Sequence, residues 1–144
     1  AELGKAVFQK ICAACHRLSG AGGKVGPDLD GVGLRGVERL LEDMLDPSRN
    51  VDQAFRSTQI NTADGRTVSG LFLRNEGAVI VLADAQGKEI RIAESDVDER
   101  ALTALSPMPG NVADLLPEAE FYNLLAYLLQ QRQAPQNQQS QKTE

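Results

Sequence analysis

Five residues, Cys12-Ala13-Ala14-Cys15-His16, hold both cysteines and the only histidine of the 144-residue chain. Two thiols three positions apart can each add to one vinyl group of a single porphyrin. The imidazole beside the second thiol then falls under the iron as an axial ligand. This C-x-x-C-H pattern is the attachment signature of a c-type haem. Other chemistries use parts of the pattern. A structural zinc takes four ligands, commonly two pairs of Cys or His, and three ligands within five residues plus a carboxylate make a cramped tetrahedron. A thioredoxin-like dithiol opens a helix after a strand, whereas this pair ends a helix-like segment with no strand before it. A plain disulfide leaves His16 without a role.

One histidine leaves the sixth position of an iron open unless another side chain fills it. With no second histidine, a methionine thioether is the candidate, and it suits a low-spin electron-transfer iron. There are two methionines. Met44 shares an apolar helical face with Leu40 and Leu41, where methionine usually fills core space. Met108 stands in Ser106-Pro107-Met108-Pro109-Gly110, where flanking prolines stiffen an extended loop and hold one side chain at fixed reach. Met108 is the expected distal ligand, with Met44 or an open or exogenous sixth position as alternatives. A further motif, Gly31-Val32-Gly33-Leu34-Arg35-Gly36, matches G-x-G-x-x-G but lacks the strand and βαβ context of a dinucleotide site. It reads better as a glycine-rich loop at a haem edge.

The elements that position these residues follow from periodicity. Leu3, Val7, Phe8 and Ile11 recur at helical spacing, predicting a helix over 3–15 with the cysteines at its C-terminal end. Gly20, Gly22, Gly23, Gly26 and Pro27 make an irregular loop. A second helix covers 37–45 with Val37, Leu40, Leu41, Met44 and Leu45 inward, stopped by Asp46-Pro47. From about residue 56 the period becomes 2. Strand signals run through Thr58–Thr62, Val68–Phe72, Val79–Val81 and Ile90–Ile92, with turns at Asp64-Gly65, Asn75-Glu76-Gly77 and Ala85-Gln86-Gly87. Residues 99–105 read as a fifth strand, with a short helix as the alternative, and the whole as a meander curling into a small antiparallel barrel. Pro117 then opens a last helix with Phe121, Leu124, Leu125 and Leu128 on its apolar face. Residues 133–144 are Gln-rich without apolar periodicity and read as a disordered tail or linker remnant.

A hydrophobic content of 42% and a charged content of 24% are ordinary for a soluble globular domain. The apolar runs are too short to span a bilayer. A net charge of -5 argues against nucleic acid, whose binders carry basic patches. The acid excess lies outside the haem motif: residues 1–50 hold seven basic and seven acidic side chains, residues 51–105 six and nine. The densest acidic cluster, Glu94, Asp96, Asp98 and Glu99, reads as a solvated face, with steering of a basic redox partner as the functional alternative. The opening Ala1-Glu2-Leu3-Gly4-Lys5 is already amphipathic and carries no signal peptide. Because a c-type haem is attached outside the cytoplasm, a periplasmic or otherwise exported location is expected, with a signal removed or the domain cut from a longer exported protein.

Taken together, these motifs resemble the class I c-type cytochromes. Gly4 and Phe8 precede Cys12 at the spacing that family uses where its first and last helices cross, and Leu124 and Tyr127 look like the partners on the last helix. Gly26-Pro27-Asp28-Leu29 looks like the loop whose proline carbonyl accepts a hydrogen bond from the proximal imidazole. Met108 before Pro109 looks like the distal-ligand loop. The interval from His16 to Met108 departs from the compact members. Leu45-Asp46-Pro47-Ser48-Arg49, Thr62-Ala63-Asp64-Gly65-Arg66, Gly70 and Ser106-Pro107-Met108-Pro109 are similar to a narrower group, the C-terminal haem-binding domains of large planctomycete and verrucomicrobial dehydrogenase-like proteins. With no Trp, the propionate-binding tryptophan of many relatives has no counterpart, and Arg35, Arg49 or Arg56 could replace it.

The resemblance implies a mainly α cytochrome c fold with a small antiparallel, barrel-like β insertion between the second helix and the distal Met loop. It implies one domain over 1–132, with the insertion at about 56–105. One haem c would be bound through Cys12 and Cys15, with His16 and Met108 on the iron and Pro27 orienting His16. The expected function is one-electron transfer without catalysis, with a separate redox protein or fused dehydrogenase domain as partner. Two alternatives remain: a sensor or peroxidase-like enzyme with a labile Met108, and a binding module whose β insertion docks a partner.

Overall fold

The helical spacing around Phe8 gives a first helix, and in a computed structural model describing residues 2–133 it spans Glu2–Ile11 (α1). Glu2 in its first turn and Lys10 in its last both complement the helix dipole. The helix ends before the cysteines, which occupy a turn. The second helix, α2, spans Val37–Leu45, and the last, α3, spans Glu118–Leu129 after Pro117. Helices α1 and α3 cross at Gly4, where any Cβ would overlap the Asn123 carbonyl oxygen. The bare backbone lets the helices approach closely. One turn along, the Phe8 and Tyr127 rings pack at 5.9 Å between centroids.

Around this crossing Val7, Phe8, Leu18, Leu40, Met44, Val112, Leu116, Phe121, Leu124, Leu125 and Leu128 form a helical core. Each large side chain withdrawn from water there contributes about 1.5–3 kcal/mol. Met44 is 5% exposed within it. The inward reading of α2 needs correction at both ends, because Val37 and Leu45 are each 46% exposed. The buried stripe of this nine-residue helix is Leu40 and Met44, four positions apart; Val37 is its first residue, and Leu45 is turned about 100° away from Met44.

The period-2 region builds a five-stranded antiparallel sheet. After a two-residue hairpin, β1 (Arg17–Leu18) and β2 (Ala21–Gly22), its strands are β3 (Thr58–Thr62), β4 (Thr67–Glu76), β5 (Val79–Ala83), β6 (Glu89–Ala93) and β7 (Val97–Leu102). Their spatial order is β6-β5-β4-β3-β7. The register pairs Ile60 with Val68 and Arg100, and Leu82 with Phe72 and Ile90, with a bulge in β4 between Phe72 and Arg74. Ile60, Ile80, Leu82 and Ile92 form a second core, bordered by Val68, Ile90 and Val97, so all five strands line it. A single 3-10 turn, Glu94–Asp96, joins the edge strands β6 and β7. Among the described residues no ladder closes those two edges, so the sheet curls without becoming a closed barrel.

The expectation of a mainly α fold is therefore wrong. The described chain is 34% helical and 27% strand, with three α-helices beside a five-stranded sheet. The region read as an insertion carries its own ladders and core, and β4 alone runs ten residues, as long as α1. The fifth strand also starts earlier than read, at Val97, and stops at Leu102. Apart from Gln133, the expected tail 133–144 lies outside the described residues.

Candidate haem-binding site

After α1 the backbone first widens and then tightens. Cys12 and Ala13 N–H both donate to the Phe8 carbonyl, and Cys15 and His16 N–H both donate to the Cys12 carbonyl, at 2.8–3.1 Å. This turn presents two free thiols, each half-buried. The segment is strapped from below: Gly23 N–H donates to Ala13 O at 2.8 Å and Gly26 N–H to Cys15 O at 2.7 Å. The strap brings the next loop under the imidazole. His16 Nδ1 donates to the Pro27 carbonyl oxygen at 2.9 Å. A Cβ on Gly26 would lie 2.6 Å from His16 Cε1 and 2.8 Å from Nδ1. With Nδ1–H committed to a carbonyl, the ring is held in the tautomer that leaves Nε2 as an unprotonated donor.

The electrostatics suit that role. Burial lowers the His16 pKa, opposed in part by the bond to Pro27, so the imidazole is held in its neutral, ligating form. Burial pushes the Cys12 thiol up to about 12, with Cys15 adding to the effect. Cys15 is also raised, by burial and then by the Asp84 carboxylate.

Met108 lies on the other side of the 92-position interval. It is half-buried and packs against the helical core, as do Cys12, Leu29, Val32, Leu41 and Leu129. Its loop is tied to the segment after α2. Ser106 N–H donates to Ser48 Oγ at 3.1 Å, Met108 N–H to Ser106 Oγ at 3.1 Å, and Ser57 N–H to Leu105 O at 2.7 Å. The structure thus joins His16 to Pro27 by a hydrogen bond and sets Cys12 and Met108 each against the helical core. Two free thiols, a neutral imidazole with one nitrogen spoken for, and a fringe of half-covered apolar side chains fit a covalently bound porphyrin.

Of the three arginines considered for a propionate, Arg35 pairs with Asp43 at 2.8 Å and Arg49 with Glu42 at 3.3 Å. Arg56 donates from Nε to Val51 O and has no carboxylate partner among the described residues. The G-x-G-x-x-G stretch serves packing: Gly33 N–H donates to Gln131 O at 2.8 Å, and a Cβ on Gly33 would overlap the end of α3. Sequence reasoning missed one neighbour of the motif. The β5–β6 turn reaches Cys15 through Gly87, a residue that periodicity marks only as part of a hairpin turn.

A half-buried dithiol turn, an imidazole oriented by a backbone carbonyl and a helical core with a half-covered apolar fringe define a haem-binding, electron-transfer class of protein. The family model described as Cytochrome c matches residues 1–76, more than half of the chain, and the chain belongs to the cytochrome c family. Membership implies a covalently bound haem c and a redox partner. The matched region includes Gly4, the Cys12–His16 motif and Pro27, and stops at the end of β4. Among curated proteins the chain is similar to an endonuclease MutS2 of Exiguobacterium sibiricum, 31% identical over 113 residues. That alignment covers 74% of this chain and only 14% of the relative. No helix among the described residues is long and apolar enough to cross a membrane.

Proposed function

We propose that this domain is a monohaem electron carrier in which Cys12 and Cys15 attach one haem c and His16 and Met108 ligate its iron. When bound, the group supplies a one-electron ferric–ferrous couple. The chain does the rest. The Pro27 carbonyl fixes the imidazole and raises its basicity. The Ser48–Ser106 tie holds the Met108 thioether at fixed reach, which keeps exogenous ligands off the sixth position. Thioether ligation favours the ferrous state, and the apolar fringe of Leu29, Val32 and Leu41 works in the same direction by lowering the local dielectric. The observation that carries this reading is the 2.9 Å bond from His16 Nδ1 to Pro27 O directly after the paired thiols. The endonuclease name of the partial match gains no support from this chain, whose net charge is -5.

We further propose that residues 1–132 act as one domain, exported to the compartment where c-type haems are attached. The partner would be a dehydrogenase, either fused in the same polypeptide or separate. The reading is tested by optical spectra of the oxidised and reduced protein with and without carbon monoxide, together with a redox titration. Haem that stays with the denatured chain, one reversible one-electron step and no carbon monoxide binding are expected. Rapid carbon monoxide binding by the native reduced protein would instead favour a sensor or peroxidase-like role with a labile Met108.

A further inference from the structure

The sheet reaches the haem-attachment turn through the connection between β5 and β6. Across Asp84-Ala85-Gln86-Gly87-Lys88, Asp84 N–H donates to Lys88 O at 2.9 Å and Gly87 N–H to Asp84 O at 3.0 Å. Asp84 Oδ1 accepts from both Gln86 N–H and Lys88 N–H, each at 2.9 Å. Two backbone donors therefore lock the carboxylate inside the turn. At Gly87, φ is +79°, and a Cβ would stand 3.0 Å from the Ala14 carbonyl oxygen and 3.1 Å from Cys15 Sγ. The left-handed backbone and the close approach both call for glycine. The turn is rooted in β5, where Leu82 and Ala83 have no exposed surface, so it cannot lift off the motif without disturbing that strand.

A sulfur that joins a porphyrin sits one bond from the macrocycle's substituents, so a charge lodged beside it acts on the charge of the iron. Resting on the haem assignment above, we propose that the β5–β6 turn is a fixed cover on the Cys15 edge of the haem site, and that Asp84 is its potential-setting residue. The sign is set by electrostatics: the ferric site carries one more positive charge than the ferrous, so a neighbouring carboxylate favours the ferric state. Asp84 therefore opposes the thioether and the apolar fringe, lowering a potential that those features raise. Lys88 in the same turn is exposed, so its opposing charge is screened by solvent.

The test is potentiometry of the haem-loaded chain as parent, Asp84→Asn and Asp84→Glu, read optically at low and high salt. Asparagine keeps the Oδ1 acceptor for both backbone donors and removes only the charge. Asp84→Asn is expected to raise the midpoint potential, moving the equilibrium about three- to tenfold toward ferrous; tenfold is about 59 mV for one electron. Asp84→Glu should stay within about twofold of the parent. Because Asp84 is half-buried and its Oδ1 is held by two backbone donors, part of the Asp84→Asn shift should persist in about 0.5 M salt, where exposed charges are screened. Spectra in both oxidation states should be unchanged, since Asp84 acts through its charge and is not a ligand. An unchanged potential in Asp84→Asn, an equal shift in Asp84→Glu, or a shift that vanishes at high salt overturns the inference while leaving the haem reading intact. A parent chain without attached haem overturns the haem reading itself, and the inference falls with it.

Discussion

The imidazole of His16 is held from two sides, and Gly26→Ala tests that arrangement. The new Cβ would sit 2.6 Å from Cε1, whereas ordinary contact begins near 3.4 Å, so ring and backbone must part by 0.8 Å. A free side chain would swing away at little cost. Here the ring is anchored at Nδ1 by Pro27 at 2.9 Å and, in the haem-loaded protein, at Nε2 by iron. A shift of that size stretches the Pro27 bond beyond hydrogen-bonding range, losing about 0.5–1.5 kcal/mol. The overlap itself adds about 1–3 kcal/mol of overpacking. Guanidinium unfolding of the ferric holoprotein should therefore show a loss of about 1.5–4.5 kcal/mol, and the less basic imidazole should lower affinity for the ferric iron. Gly110→Ala is the control: nothing lies within 4 Å of its Cβ position, and its stability should stay within about 0.5 kcal/mol of the parent. If Gly26→Ala matches that control, the imidazole is not clamped as described.

The distal loop gives a kinetic prediction. Ser48→Ala removes the acceptor of Ser106 N–H, costing about 0.5–1.5 kcal/mol, and should speed cyanide binding to the ferric protein several-fold; an unchanged rate would show that the tie does not restrain Met108. A second prediction concerns pH. Glu76 is held below its ordinary 4.5 by hydrogen bonds from Arg91 and then Arg74, and Glu89 is lowered chiefly by Arg74. Depressed carboxylates stabilise the fold above the unfolded pKa, and that contribution is lost as pH falls through their lowered values. At low salt the parent's melting temperature should therefore fall more steeply below pH 4.5 than that of the Glu76→Gln/Glu89→Gln variant, and parallel curves would refute it.

What the sequence made legible was local. The cysteines and His16 are contiguous, and the periods around Phe8, Leu40 and Phe121 mark helices because each face is written within one or two turns. The strands were legible singly, from alternation and from Asp64-Gly65 and Asn75-Glu76-Gly77. Their weight in the fold was not, because ladders join distant residues: Thr58 pairs with Gly70 on one side and Leu102 on the other. The same reason hid the contact of Gly87 with Cys15, 72 positions apart, which no local pattern encodes. Periodicity also overstated burial at Val37 and Leu45, since the buried stripe of α2 is only Leu40 and Met44, with Val37 at the helix start and Leu45 turned away from that stripe. Met44 and Met108 could be ranked by context alone, one on an apolar helical face and the other between prolines. The structure puts Met44 inside the helical core and Met108 at its border.

The central claim, a haem iron held between His16 and Met108, is tested most directly by the methionine-to-ferric charge-transfer band of the oxidised protein. The band should be present in the parent, persist in Met44→Leu and vanish in Met108→Ala together with a fall in potential. A parent without the band, or a band that survives Met108→Ala, would contradict the account.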